Sequence, residues 1–112
     1  MPRIPASNIA VSSILALEKK LDVTANNIAN VNTDEFKKSR VIFQTGDSSG
    51  ISAKITKVDI PGTMQPNGLE SSNVVLAEEF ADLITTQHSN TANVKVIETE
   101  AEMQEHILDI FA

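Results

Sequence analysis

The 112-residue sequence predicts a mainly α protein with a small β insert. Its expected architecture is an elongated, coiled-coil-like antiparallel hairpin made by the N- and C-terminal helices. Three observations predict it. Apolar residues recur at steps of three and four at both ends of the chain, the spacing of one helix face. Strand-like alternation and most of the turn residues are confined to the middle. Beyond Asn73 there is no Gly or Pro to interrupt a helix. The chain divides accordingly into a helical segment 1–35, a β insert 36–70 and a long helical segment 71–112.

The first helix is expected to start near Pro5, since Pro is tolerated in a first helical turn. From there Val11, Ile14, Leu17, Leu21, Thr24, Ile28 and Val31 form a heptad-like seam. Glu18, Lys19, Lys20 and Asp22 lie opposite. Four asparagines follow between 26 and 32, and Asn competes with the backbone for hydrogen bonds. The helix should therefore end near Asn30.

In the middle, Val41 and Phe43 alternate with Ile42 and Gln44, which predicts a strand. Gly46-Asp47-Ser48-Ser49-Gly50 is a turn, and Ile51, Ala53 and Ile55 mark a second strand. Val58 and Ile60 break that alternation, so a bulge is expected near Thr56 or Lys57. Pro61-Gly62 and Pro66-Asn67-Gly68 mark two further turns, with a short edge strand expected at Thr63–Gln65. Such an insert buries little alone and must lean on the helices or on a neighbour.

Ser71, Ser72 and Asn73 are each good N-caps, and Glu78, Glu79 and Asp82 suit the positive end of a helix dipole. The seam of the second helix runs through Leu76, Phe80, Leu83, Gln87, Asn90, Val94, Ile97, Ala101, Gln104, Leu108 and Phe111. Such a helix is about 55 Å long at 1.5 Å per residue. The polar seam residues Thr24, Gln87, Asn90 and Gln104 read either as defects in an exposed helix or as groups that set register.

Composition excludes several classes of function. A net charge of -6 argues against nucleic-acid binding, which needs clustered bases. Without Cys, no disulfide or thiolate zinc site is possible. No signal peptide or membrane-spanning run is visible. Residues 73–112 hold eight acids against one base, Lys95, whereas the preceding part is nearly balanced. That asymmetry favours pairing the C-terminal helix with the N-terminal one, within or between subunits.

The segment Leu21-Asp22-Val23-Thr24-Ala25-Asn26-Asn27-Ile28-Ala29-Asn30-Val31-Asn32-Thr33, leading to Phe36-Lys37, resembles the N-terminal signature of bacterial flagellar rod and hook proteins. The residues that carry it are Ala25, Asn26, Asn27, Ile28, Ala29, Asn30, Asn32, Thr33, Phe36 and Lys37. Near the other end, Asn73-Val74 with Glu78-Glu79 and Leu83-Ile84 resembles the C-terminal segment of rod proteins. So does Ala92-Asn93-Val94-Lys95-Val96-Ile97 with Glu102-Met103. The proximal-rod, C-type subunit is the subgroup most resembled. Two departures stand out. Glu35 occupies a position usually held by Gly, and His88-Ser89-Asn90 replaces a usual Arg-Ala-Tyr. A Gly there can adopt positive φ, so Glu35 must either strain or redirect the turn.

The resemblance implies a structural, non-enzymatic subunit without a cofactor. It implies polymerisation into the axial shaft of the flagellar basal body, between motor and hook. Implied partners are further copies of the chain, other rod and hook proteins, and the export apparatus, with export free of a cleaved signal and no membrane insertion. The expected contact seam comprises Ile14, Leu17, Leu21, Ile28, Leu76, Phe80, Leu83, Val94, Ile97 and Leu108. Aspartate at Leu83 or Ile97 is expected to block incorporation. An export adaptor or a soluble helical scaffold is the alternative.

Two catalytic or metal readings are outweighed. Gly46–Gly50 matches the G-x-S-x-G pattern around Ser48, but a strand rather than a helix follows and the chain lacks the sheet that holds a nucleophile elbow. His106 shares a helix face with Glu98 and Glu102, yet no zinc-protease spacing is present.

Overall fold

The computed structural model describes residues 6–46 and 50–111. Helix α1 spans Ala6–Ala29, strands β1 and β2 span Ser39–Thr45 and Ile51–Lys57, and helix α2 spans Leu76–Phe111. The helices run antiparallel with the two-stranded sheet against α1. The molecule measures 74 × 27 × 13 Å, and its 19.4 Å radius of gyration exceeds the roughly 13 Å expected of a compact domain this long.

The strands pair antiparallel in an unbroken register from Ser39↔Lys57 to Thr45↔Ile51. The bulge expected near Thr56 or Lys57 is therefore absent. The slip in alternation marks the strand's exit instead: the Val58 amide still donates to the Lys38 carbonyl at 2.9 Å, and the chain then leaves the sheet. Likewise, Thr63–Gln65 is not a strand. Met64 forms an isolated bridge with Glu70 around a turn at Gly68, whose φ of 85° favours a residue without a Cβ. Gly62 passes so close to the Ser71 carbonyl that any Cβ would collide with it.

Helix α2 starts at Leu76, later than the three polar caps suggest. The Glu79 amide donates to the Val75 carbonyl at 3.1 Å. Ser72 Oγ accepts from the Val74 amide, while the Asn73 side chain is engaged elsewhere.

The interior is thin. Among the described residues the buried apolar side chains are Ala10, Ala16, Leu17 and Val74, joined by the polar Ser13, Thr24, Asn27, Glu79 and Thr86. The helices thus meet along small and polar residues, and the seam is rotated from the one expected. Leu17 and Thr24 belong to both, and Ile14, Leu83 and Ile97 are half-buried at the edge. Leu21, Leu76, Phe80, Val94 and Leu108 point to solvent. Small residues let two helices approach closely, which large leucines at the same positions would prevent. The accessible surface is 8002 Å², where a compact monomer of this mass exposes about 6000 Å². The excess, about 2000 Å², is the size of a stable protein–protein interface.

Glu35 is the single non-glycine residue with positive φ among those described, at 62°. The chain keeps the left-handed turn and forces Glu into it, held by a 2.7 Å bond from the Glu35 amide to the Glu70 carbonyl. A left-handed L-residue costs roughly 1–2 kcal/mol, partly offset because Gly is freer in the unfolded chain. Glu35→Gly is expected to stabilise the fold by up to about 1 kcal/mol, and Glu35→Val to destabilise it. Urea denaturation of the three proteins checks both signs.

Candidate functional site

The Asn-rich signature divides into two structural jobs. Asn26, Asn30 and Thr33 close the end of α1. Asn30 Nδ2 donates to the carbonyl and Oδ1 of Asn26 at 2.9 and 2.7 Å, and Thr33 Oγ1 donates to Asn30 Oδ1 at 3.0 Å. These bonds satisfy groups that a helix terminus leaves without intrahelical partners. Ala25, Ala29 and Asn32 remain exposed on this surface, and Ile28 is half-buried.

Asn27 turns inward instead. Its Oδ1 accepts from the Ser39 amide at 3.0 Å, and its Nδ2 donates to the Ser39 carbonyl at 2.9 Å. The side chain thereby acts as one more residue of the sheet edge. The same Nδ2 lies 3.3 and 3.4 Å from the two carboxylate oxygens of Glu79, so one amide ties α1, β1 and α2 together. Asn27 is 2% and Glu79 5% exposed, so water cannot replace these partners.

Asn73 makes the equivalent tie on the other side of the insert. Its Oδ1 accepts from the Lys38 amide at 2.6 Å, and its Nδ2 donates to the carbonyls of Val58 and Ile60, both at 2.9 Å. The Asn73 amide in turn donates to the carbonyl of the half-buried Phe36 at 3.2 Å. Lys37 reaches Glu70 Oε2 at 2.9 Å and the Ile60 carbonyl at 3.2 Å. Residues 25–37 thus join helix, sheet and helix.

Sequence reasoning placed Glu79 with Glu78 as an acid at a helix dipole, and Asn73 as a cap. Neither burial nor bridging was expected of them. The signal that could have shown the junction is the spacing of Ala10, Ser13, Leu17, Thr24 and Asn27, a face of small and polar residues ending in an amide. The charge asymmetry of the helices is not realised as ion pairing between them. Among the described residues the ion pairs are Lys37–Glu70, Lys38–Glu78 and Lys95–Glu98. Lys20 sits over the Phe43 ring at 5.7 Å. Ser48 lies outside the described residues. Among the described residues no group of three His, Asp or Glu side chains could hold a metal.

Both matched regions fall on this architecture. The family model described as flagella basal body rod protein matches residues 8–37, which are α1 and the Asn-rich turn. A second, described as flagellar basal body rod FlgEFG protein C-terminal, matches residues 65–110, which contain Asn73, Glu79 and α2. The chain belongs to the flagellar rod and hook protein family. The flagellar hook protein FlgE of Caulobacter vibrioides is 39% identical over 66 residues, 59% of this chain and 11% of that protein. That of Brucella suis is 27% identical over 84 residues, covering 75% and 21%. That of Borreliella burgdorferi is 45% identical over 56 residues, covering 50% and 13%. The chain therefore spans between about a tenth and a fifth of the length of these curated relatives.

Loss of the Asn27 amide strands the Ser39 amide and carbonyl and leaves Glu79 buried without its donor. At roughly 1–3 kcal/mol for a stranded buried group, Asn27→Ala is expected to cost about 2–4 kcal/mol. Denaturant midpoints for Asn27→Ala and an exposed control, Asn32→Ala, measure the difference.

Burial pushes the Glu79 carboxyl above the ordinary glutamate value of 4.5. The Asn27 amide opposes the shift, and the negative charges of Asp82 and Glu78 add to it, against Lys38. The charged form therefore costs stability at neutral pH, and stability rises as pH falls through the raised folded value. Glu70 acts oppositely. Its hydrogen bond and charge pairing with Lys37 hold its pKa below 4.5, so its contribution is present above 4.5 and lost as pH falls through the lowered value. Stability is expected to increase from pH 7 toward the ordinary glutamate range and to decline below it. Glu79→Gln keeps an acceptor for Asn27 and should flatten the upper limb, which denaturation across pH reads directly.

Proposed function

We propose that this chain is a structural, non-catalytic subunit of the flagellar axis, within the basal-body rod that joins motor to hook. The observation that carries this reading is the inverted use of the two helices. Their mutual contact consumes small and polar residues, leaving Leu21, Leu76, Phe80, Ile84 and Val94 on outer faces. An elongated pair of helices with apolar outer faces suits packing against further copies rather than solitary life in water. A heterologous, head-to-tail contact extends without closing and yields a hollow helical shaft. The division 1–35, 36–70 and 71–112 then has a functional sense: two polymerising ends and a spacer.

The partners in this reading are other copies, other rod and hook proteins and the export apparatus, with export free of a cleaved signal. The rod assignment, within it the proximal C-type subgroup, is supported by the signature segments. A hook-side subunit is the second reading, because all three relatives named above are hook proteins. A cytosolic export adaptor is the alternative outside the axis.

The expected seam includes Leu83 and Ile97, but both are half-buried between α1 and α2, so substituting them would also damage the subunit itself. Phe80 and Leu21 face outward and separate the two effects. A strain carrying Phe80→Asp or Leu21→Asp is expected to export the protein and fail to incorporate it into purified basal bodies. A deletion strain imaged by electron microscopy should show rings with an incomplete rod. A finished rod lacking its hook would favour the hook-side reading. Intact motile flagella, or a protein confined to the cytosol with the export machinery, would contradict the axial role.

A further inference from the structure

One asparagine stands apart from the rest by its neighbour. Asn67 is followed by Gly68, whereas every other asparagine precedes Ile, Val or Thr, except Asn26, which precedes Asn27. A β-branched side chain crowds the backbone nitrogen beside it, and glycine leaves that nitrogen open. Residues 66–69 are all exposed, and a side chain at Gly68 would meet no atom within 4 Å. Asn67 Oδ1 accepts from the Leu69 amide at 3.0 Å, which holds the carboxamide against the following peptide bond and polarises its carbonyl. The Gly68 amide donates to the Gln65 carbonyl at 3.0 Å. That bond lies at an exposed loop tip, where local opening is easy.

We propose that Asn67 is a site of spontaneous deamidation and isoaspartate formation, and that this change loosens the turn at Glu35. When the Gly68 N–H opens to water, hydroxide takes its proton. The nitrogen then attacks Asn67 Cγ. The Cγ–Nδ2 bond breaks, and the leaving amide takes a proton from water and departs as ammonia. The product is a succinimide ring, in which the Gly68 nitrogen joins Cγ and the Asn67 main-chain carbonyl carbon. Water opens it. Breaking the bond to Cγ gives aspartate. Breaking the bond to the main-chain carbonyl carbon gives isoaspartate, whose main chain runs through Cγ and gains one methylene. Water and hydroxide are the only other reactants.

The extra methylene falls inside a tightly registered loop. The Gln65 amide donates to the Leu69 carbonyl at 2.9 Å, the Ser71 amide to the Thr63 carbonyl at 2.8 Å, and Met64 bridges Glu70. These rungs place Glu70, whose carbonyl accepts from the left-handed Glu35 and whose carboxylate meets Lys37. Lengthening the backbone between Gln65 and Leu69 breaks the register of the rungs. Glu35 then loses the bond that holds its turn at the end of α1.

The purified full chain, incubated warm at mildly alkaline pH, tests both steps. Peptide mapping by mass spectrometry should find Asn67 converting at least about tenfold faster than any other asparagine, because its nucleophile is the one left unobstructed. Labelling by an isoaspartyl methyltransferase should show isoaspartate in excess of aspartate there, and Asn67→Gln should abolish the label. Conversion led by another asparagine, or aspartate formed without isoaspartate, would overturn the site. For the second step, the isoaspartyl fraction is separated by anion exchange and its amide hydrogen exchange followed by NMR. Exchange at the Glu35 and Ser71 amides should be about tenfold faster than in the fresh chain, with the Ser39 amide unchanged. Asn67→Asp adds the charge without the methylene and should leave Glu35 exchange as it was. Unaltered exchange at Glu35 in the isoaspartyl fraction, or equal acceleration in Asn67→Asp, would overturn the coupling through the backbone.

Discussion

The side-chain amide of Asn27 is the constraint on which the rest of the molecule depends. It completes the sheet edge at Ser39 and meets the Glu79 carboxylate. Both helices and the sheet are therefore fixed by one residue that water cannot reach. A hydrophobic residue of similar size would pack there but could not satisfy the Ser39 backbone groups. Aspartate could not donate to the Ser39 carbonyl and would add a charge beside Glu79. Asn73 repeats the device across the insert. Between them the two amides set the angle at which the sheet leaves the helices, which burial of four apolar side chains could not do.

This economy has a consequence for assembly. A seam of Ala10, Ser13, Ala16, Thr24 and Thr86 brings two helices close while spending few large side chains. Most of the large apolar side chains that would ordinarily fill a core, among them Leu15, Leu21, Leu76, Phe80 and Ile84, remain on outer faces. A surface about 2000 Å² larger than that of a compact monomer of equal mass fits a chain whose burial is completed by neighbours. Specificity inside the chain comes from directional polar contacts, and the apolar outer faces are left for the contacts with neighbours that the proposed function calls for.

The element plan was legible because its signals are local. The lack of Gly and Pro after Asn73, the alternation at Val41 and Phe43, and the glycines at 46 and 50 each act within a few residues. At Glu35 the sequence left two outcomes, a strained left-handed residue or a redirected turn, and the backbone takes the first, with φ at 62°. What could not be read was which face of each helix turns inward. Apolar periodicity assigns the leucines to the inside, since it assumes that burial inside one chain is the only burial available. Leu21, Leu76 and Phe80 break that assumption, and Asn27, Glu79 and Thr86 take their places. Glu79 also illustrates a non-local fact: its environment is made by a residue 52 positions away.

Hydrogen exchange along α2 tests most directly the claim that the helix pair is completed by neighbours rather than by its own core. It compares the isolated chain with the same chain in purified axial structures. Amides of residues 79–97 should be protected in both states, because α1 covers them in the subunit. Amides of residues 101–111 should exchange quickly in the isolated chain and become protected on assembly. Strong protection of 101–111 in the isolated monomer, or fast exchange there within the assembled axis, would contradict the claim.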